Sequence, residues 1–213
     1  MKSKLILLSS LLFLSINTCA SSTYKDIKYG SYVSIAHLKY IYNKVKRTSS
    51  VSEKALAKTF HYYEKNRYAK YLSPNYLAIA DYTKFASQKR LFIINLHTGE
   101  VNKHLVAHGL NSGARGDRVW SAGNQAGSYK TPTGFFKVGY KEGITFRKKY
   151  DYLGLDGLEW KNRNAKQREI ILHTASYVGS LGRSHGCFAI EPKDKREVFS
   201  RMKSALLFSY VGA

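Results

Sequence analysis

The segment from residue 170 to residue 190 reads IILHTASYVGSLGRSHGCFAI, two short apolar runs joined by a loop rich in glycine and serine. The first run ends on His173, and Cys187 begins the second. Short apolar runs bounded by such loops are typical of buried strands. The segment therefore predicts a histidine at the end of one strand and a cysteine at the start of the next.

His173 and Cys187 carry the side chains that nucleophilic catalysis needs. Attack on a carbonyl requires a thiolate, and an imidazole close by takes the thiol proton. Arg183 would add positive potential, so we expect the pKa of Cys187 to lie below the value of about 8.5 for a free thiol. Gly186 permits a tight turn in which the backbone amides of Gly186 and Cys187 point at a developing oxyanion.

Each of these residues also has a simpler interpretation. A single cysteine is often a small buried hydrophobe, and a histidine after an apolar run often only hydrogen-bonds to backbone. His185 polarises the substrate carbonyl, shapes the loop or has no chemical role. A zinc site built from His173, His185 and Cys187, with His108, is a further alternative. Neither C-x-x-C nor H-E-x-x-H spacing occurs, so we predict no metal and no organic cofactor.

The first 20 residues have the layout of a secretory signal peptide. Lys2 and Lys4 precede an apolar run over residues 5–16, and small residues end the segment at Ala20. The run is shorter than the roughly 20 residues of a membrane span. We therefore expect residues 1–20 to be removed and the protein to be exported to the periplasm or cell envelope. Lipidation of Cys19 is the alternative. Removal of Cys19 with the signal peptide leaves Cys187 unpaired in an oxidising compartment, which suggests either an intermolecular bridge or a reactive thiol.

The composition is strongly basic. The formal net charge is +21, and loss of Lys2 and Lys4 with the signal peptide leaves +19. Such a surface attracts polyanions, and an exported protein meets anionic envelope polymers and lipid head groups before nucleic acid. No later segment is long and apolar enough to cross a bilayer. We therefore expect anionic envelope polymers as partners, no nucleic acid and no integral membrane span.

Hydrophobic spacing predicts helices before Ser73 and strands after it. Residues 31–71 predict two short helices, the second with a capping box between Ser50 and Glu53. A helix is expected after Pro192. The predicted strands cover 77–80, 91–96, 101–107, 134–140, 152–158, 169–173 and 206–211, with a hairpin turn at 97–99. The fold class is therefore mainly β (α+β), with a helical accessory segment over 21–73 and a β-rich domain over 74–213.

Four sequence blocks resemble the YkuD-type L,D-transpeptidases. That family has a histidine followed downstream by S/T-H-G-C, here His173 and the run from Ser184 to Cys187. Three further blocks are similar to the murein L,D-transpeptidase catalytic domain branch: VAHGLNSG over 106–113, GSYKTPTGFF over 127–136 and LDGLE over 155–159. The resemblance covers residues 76–190, and it implies a β-rich catalytic domain with a substrate tunnel under a mobile lid.

The resemblance assigns a role to each residue of the motif. Cys187 would be the acyl-accepting thiolate, His173 the general base, and the backbone carbonyl of Thr174 the group that orients His173. The oxyanion and donor-stem region would be lined by Arg183, Ser184, His185 and Gly186. The implied substrate is a peptidoglycan stem peptide, cleaved after its third residue to give a thioester that an amine then resolves. Carbapenems would react with the same cysteine.

Two departures from the family pattern, and three rival functions, stay open at this stage. The loop over 174–182 is shorter than in most members, which implies a more open pocket. Ala189 stands at a position where most members have Asn or Arg, so the contribution of that polar side chain would have to come from Arg183 or Lys130.

Transfer of the acyl group to water would make the protein an L,D-carboxypeptidase. A thiol peptidase acting on protein and a non-enzymatic basic envelope-binding protein, in which Cys187 is structural, are the other two.

Overall fold

The computed structural model describes residues 31–212, and the predicted signal peptide lies outside them. The helices are α1 (Ile35–Thr48), α2 (Glu53–Asn66) and α3 (Lys195–Met202). The strands are β1 (Tyr76–Asp81), β2 (Leu91–Asn95), β3 (Val101–His104), β4 (Gly134–Ile144), β5 (Asp151–Gly157), β6 (Ile171–Thr174), β7 (Phe188–Ile190) and β8 (Leu206–Tyr210). The prediction of a mainly β (α+β) chain with helices first is confirmed.

Both N-terminal helices begin at a serine cap. The Ser34 hydroxyl accepts a hydrogen bond from the His37 amide. For α2 the predicted cap at Ser50 is wrong, because the Ser52 hydroxyl accepts from the Ala55 amide. Val51, directly before this cap, is buried in the same cluster as the residues of the first turns of α2. An apolar residue in that position fixes the entry of the chain into a helix, which places the cap two residues later than the capping box suggested.

The eight strands form one sheet in the order β3-β2-β1-β8-β4-β5-β6-β7. The predicted hairpin between β2 and β3 is present, with Gly99 at a φ of 71° in its turn. The last strand, β8, lies between β1 and β4, parallel to β1 and antiparallel to β4. At the other end of the sheet, β6 and β7 are parallel. The 170–190 segment therefore forms one end of the sheet.

Alternating side chains of the central strands enter two different cores. In β1, Leu77 and Ile79 pack with α1 and α2, whereas Ala78 and Ala80 pack with α3 on the opposite face. This period of two follows from the pleat of a strand. On that face α1 and α2 share a core with residues of β1, β2, β4 and β8. The boundary at residue 73 and the accessory role of the helices stay predictions, and the shared core makes us expect that removal of the helices affects the fold.

The sheet curls into a near-barrel, so that the chain leaving β3 returns to the free edge of β7. The Ala107 amide donates to the Ala189 carbonyl at 2.9 Å, and Gly109 forms a bridge to Ser184. The loop before Cys187 is thereby held between this returning segment and β6. Within residues 31–212, no helix is long and apolar enough to span a bilayer.

Candidate active site

The parallel pairing of β6 with β7 brings His173 and Cys187 to adjacent strands. His173 lies opposite Ala189, and Leu172 lies opposite Phe188. Cys187 precedes Phe188, so it lies two residues back from the partner of His173. Strands about 4.8 Å apart, with an offset of two residues, put the two Cα atoms about 8 Å apart. An imidazole and a thiol can meet across that separation.

His173 is held in one tautomer. Its side chain is buried, and Nδ1 lies 3.0 Å from the carbonyl oxygen of Thr174. A carbonyl only accepts, so Nδ1 carries the proton and Nε2 keeps its lone pair. Burial lowers the pKa of His173, and the bond to Thr174 only partly opposes this. At neutral pH the ring is therefore uncharged and has an accepting nitrogen, as a general base requires.

Two tyrosines enclose the His173 ring, and neither was predicted from the sequence. Tyr150 stacks on the imidazole with ring centroids 5.0 Å apart, and Tyr177 meets it edge-on at 6.4 Å. Burial, followed by the charge of Cys187, raises the pKa of Tyr177. Tyr177 therefore contacts the His173 ring and lies within electrostatic range of Cys187.

The pKa of the Cys187 thiol is raised in the fold, contrary to the prediction of a low pKa. Its side chain is half-buried, and Sγ lies 3.5 Å from the carbonyl oxygen of Glu169, to which it donates. Burial raises the pKa of the thiol, whereas the backbone amide of Ile171 and the charge of Arg168 lower it by less. The correction has a simple cause, since desolvation penalises the thiolate more than its neighbours stabilise it.

Arg168, and not Arg183, is the cation that acts on the thiol. The Arg183 guanidinium instead donates to the carbonyls of Leu110 and Gly113, at 3.1 Å each. Arg168 donates to the carbonyls of Gly123 and Lys130, at 2.9 and 2.8 Å. Arg183 therefore fastens the loop. Arg168 precedes β6 in a turn with no recognisable motif, so nothing in the sequence singled it out.

Ser184 closes the turn that carries Cys187. Its hydroxyl donates to the Cys187 carbonyl at 2.7 Å and accepts from the Gly186 amide at 3.1 Å. Gly186 has a φ of 113°, as the predicted tight turn requires. The Gly186 amide is therefore bonded to Ser184, and its predicted contact with an oxyanion stays a prediction.

A buried arginine supports the segment on the other side of this turn. Arg90 is fully buried and donates to His108 Nδ1 at 2.7 Å and to the Val106 carbonyl at 3.1 Å. Burial and the charge of Arg90 lower the pKa of His108 to about 4. The His108 carbonyl in turn accepts from the Ser184 amide at 2.8 Å. His108 is thus a neutral support for the loop that bears the motif.

His185 points away from the buried pair. Its side chain is exposed, and its ring lies 4.7 Å from that of Tyr129. His185 and Tyr129 therefore form an exposed aromatic pair in the loops on either side of the motif. In residues 31–212 no group of three or more His, Cys, Asp or Glu side chains is arranged to hold a metal ion.

The sequence matches the family model described as L,D-transpeptidase catalytic domain over residues 47–210. The match covers most of the chain, and this chain belongs to that family. It begins inside α1, so it includes α2 and the sheet. A comparison with curated protein sequences finds no match.

Comparison with solved structures gives matches of low sequence identity, of which three are described. The helical cell shape determining protein Pgp2 from Campylobacter jejuni is 16% identical, with a TM-score of 0.41 over 63% of this chain and 47% of its own. An L,D-transpeptidase from Xylanimonas cellulosilytica is 14% identical, with a TM-score of 0.38 over 64% of this chain and 60% of its own. An L,D-transpeptidase from Mycobacterium tuberculosis is 17% identical, with a TM-score of 0.35 over 63% and 57%. The chain thus spans about half of the length of these structures.

Proposed function

We propose that this protein is a cysteine acyltransferase of the cell envelope that acts on peptidoglycan stem peptides. Cys187 attacks the carbonyl carbon of the peptide bond after the third stem residue. That bond breaks, the terminal D-amino acid leaves as an amine, and the acyl group stays on Sγ as a thioester. An amine of a neighbouring stem then attacks the thioester, restores the thiol and completes a cross-link.

The observation that carries this proposal is the fixed tautomer of His173 on the strand beside Cys187. With Nδ1–H bound to Thr174, Nε2 is the atom that receives the thiol proton and later delivers it to the leaving amine. Thr174 acts only through its backbone carbonyl, where a serine triad uses a carboxylate. The ring contact with Tyr150 fixes the plane of the imidazole.

The resting pair is neutral in this mechanism. Because burial raises the pKa of Cys187 and lowers that of His173, proton transfer accompanies attack instead of preceding it. The Ile171 amide and the Arg168 guanidinium stabilise negative charge on sulfur as it develops. A protonated resting thiol suits an exported protein, because thiolates are the form that oxidants attack.

The loop residues position the substrate carbonyl. We assign the oxyanion contact to the Cys187 amide, because the Gly186 amide is bound to Ser184. Ser184 and Arg183 hold the turn in place, and the exposed His185 lies on the side from which a stem peptide approaches. In this arrangement the Cys187 amide stabilises the negative charge that develops on the substrate oxygen in the transition state.

Reaction with a carbapenem tests the reactive pair in the chain from residue 21 onward. Intact-protein mass spectrometry should show one adduct on the parent and none on Cys187→Ala. His173→Ala should react about 10²–10⁴-fold more slowly, the usual contribution of a general base. His61→Ala is the matched control, since His61 is exposed on α2 and should react like the parent. Parental speed in a folded His173→Ala variant would remove His173 from the mechanism.

A further inference from the structure

The tip of the β4–β5 hairpin, residues 144–149, exposes apolar side chains. Phe146 is 88% exposed, the highest value for a large apolar side chain in residues 31–212, and Ile144 is 64% exposed. Burying such side chains is normally favourable. Their exposure at one protruding turn is a feature that the acyltransferase mechanism does not use.

The tip is a defined turn rather than an extended loop. The Thr145 amide donates to the Tyr150 carbonyl at 2.8 Å, and the Tyr150 amide donates to the Thr145 hydroxyl at 2.8 Å. The Lys149 amide also donates to the Thr145 carbonyl at 3.1 Å. Hydrogen bonds within the turn therefore hold Phe146 outward. The Lys149 ammonium lies over its ring, 5.3 Å from the ring centroid.

The tip also concentrates positive charge. Arg147, Lys148 and Lys149 follow Phe146 without an intervening acid. The carboxylates on either side are already paired elsewhere, Glu142 with Lys203 at 2.8 Å and Asp151 with Lys195 at 2.9 Å. Three adjacent cations thus surround two exposed apolar side chains, and no neighbouring carboxylate neutralises them.

We propose that the hairpin tip docks on an anionic phospholipid surface. Cations attract the anionic head groups, and an aromatic and a branched aliphatic side chain enter the interfacial region below them. A soluble polyanion would account for the cations alone, because it offers no apolar layer for Phe146 and Ile144. The apolar side chains therefore favour a lipid surface over an anionic polymer.

Docking at the tip would also position the reactive pair. Tyr150 ends the tip and stacks on His173, and Tyr152 of β5 pairs with His173 of β6. The tip and the reactive pair therefore lie at the same end of these strands. A protein held by this turn has its active site beside the bilayer surface, although the docking itself does not depend on the proposed chemistry.

Vesicle flotation with the chain from residue 21 onward tests the proposal, since residues 31–212 contain both cores of the fold. The vesicles contain phosphatidylcholine alone or with phosphatidylglycerol. The parent should bind the anionic vesicles. Replacing Arg147, Lys148 and Lys149 by serine should lower the partition coefficient roughly a hundredfold, at about fivefold per cation near the surface. Replacing Ile144 and Phe146 by serine should lower it about tenfold.

Two controls separate docking at the tip from general stickiness. Trp160→Ser removes another exposed aromatic that lies against an arginine, away from the tip, and should bind like the parent. Phe146→Trp should keep or increase binding, because tryptophan favours the interface. Inorganic polyphosphate serves as a soluble polyanion probe, and the double apolar variant should bind it like the parent.

Three results would overturn the proposal. The double apolar variant could float with anionic vesicles as well as the parent, Trp160→Ser could lose as much binding as the tip variants, or the double apolar variant could lose polyphosphate binding in parallel with vesicle binding. The first result would assign the attraction to charge alone, and the other two would show that the apolar side chains of the tip do not act specifically on lipid. Thermal melts of every variant should match that of the parent, because the exchanged side chains make no core contact.

Discussion

Gly186→Ala should disrupt the turn beneath Cys187, and its loss of stability can be compared with that of alanine at two other glycines. Gly186 has a φ of 113°, and an added Cβ would lie 2.6 Å from the Lys130 carbonyl oxygen and 3.0 Å from Arg168 Nη2. Gly127 has a φ of 72° but nothing within 4 Å, so alanine there brings backbone strain alone. Gly154 has neither a positive φ nor a close neighbour.

The three substitutions therefore predict a graded loss of stability. Strain alone costs about 1 kcal/mol at Gly127, and strain plus displacement of the Lys130 backbone costs about 3 kcal/mol at Gly186. Gly154→Ala should be close to neutral. At about 2–4 °C per kcal/mol for a protein of this size, Gly186→Ala should melt about 6–12 °C below the parent.

Calorimetry, combined with the rate of carbapenem addition to Cys187, measures both consequences. At temperatures where it is folded, Gly186→Ala should react more slowly, because the added Cβ displaces the Lys130 carbonyl and the Arg168 side chain. The rate for Gly127→Ala should not change. Equal melting temperatures for the Gly186 and Gly127 variants would show that the steric contact at Gly186 contributes nothing to the loss of stability.

Three further predictions concern the whole molecule. Acidification from pH 6.5 to 4 should lower the free energy of unfolding by about 3 kcal/mol through His108. The unfolded histidine takes up a proton in this range, whereas the folded one, with a pKa of about 4, mostly does not. In the His108→Gln variant, the free energy of unfolding should change less over this pH range. A fragment beginning at residue 74 should lose its near-ultraviolet circular dichroism, because the face that α1 and α2 cover is then exposed; a native spectrum would restore the accessory-layer prediction. Binding to purified sacculi should weaken with salt, since screening acts over about 8 Å at physiological ionic strength, and a pull-down unaffected by salt would assign the binding to the pocket.

Local patterns in the sequence were sufficient to predict most of the sheet. The short apolar run of β2 and the glycine turn after it made the β2–β3 hairpin predictable, because the signal lies in adjacent residues. The placement of β8 between β1 and β4 was not predictable in this way. It depends on pairing between segments far apart in the chain, which periodicity does not encode.

In the candidate site, too, local sequence features were predictable and features that depend on tertiary packing were not. His173, Thr174 and Cys187 could be proposed because they match a motif, and His173 Nδ1 lies within hydrogen-bond distance of the Thr174 carbonyl, as the motif implies. The pKa of Cys187 was predicted in the wrong direction, because burial arises from tertiary packing. Arg168 was missed for a related reason, since its effect on the thiol depends on a fold that brings it beside Gly186.

Mass spectrometry of defined muropeptides, incubated with the chain from residue 21 onward, shows whether Cys187 is the nucleophile. We expect loss of the terminal D-amino acid from a tetrapeptide stem, a transient acyl adduct on Cys187 and a cross-linked product when a second stem supplies the amine. Cys187→Ala should give none of these. Unchanged muropeptides with a folded parent protein, or equal turnover by Cys187→Ala, would contradict the assignment of Cys187 as the nucleophile.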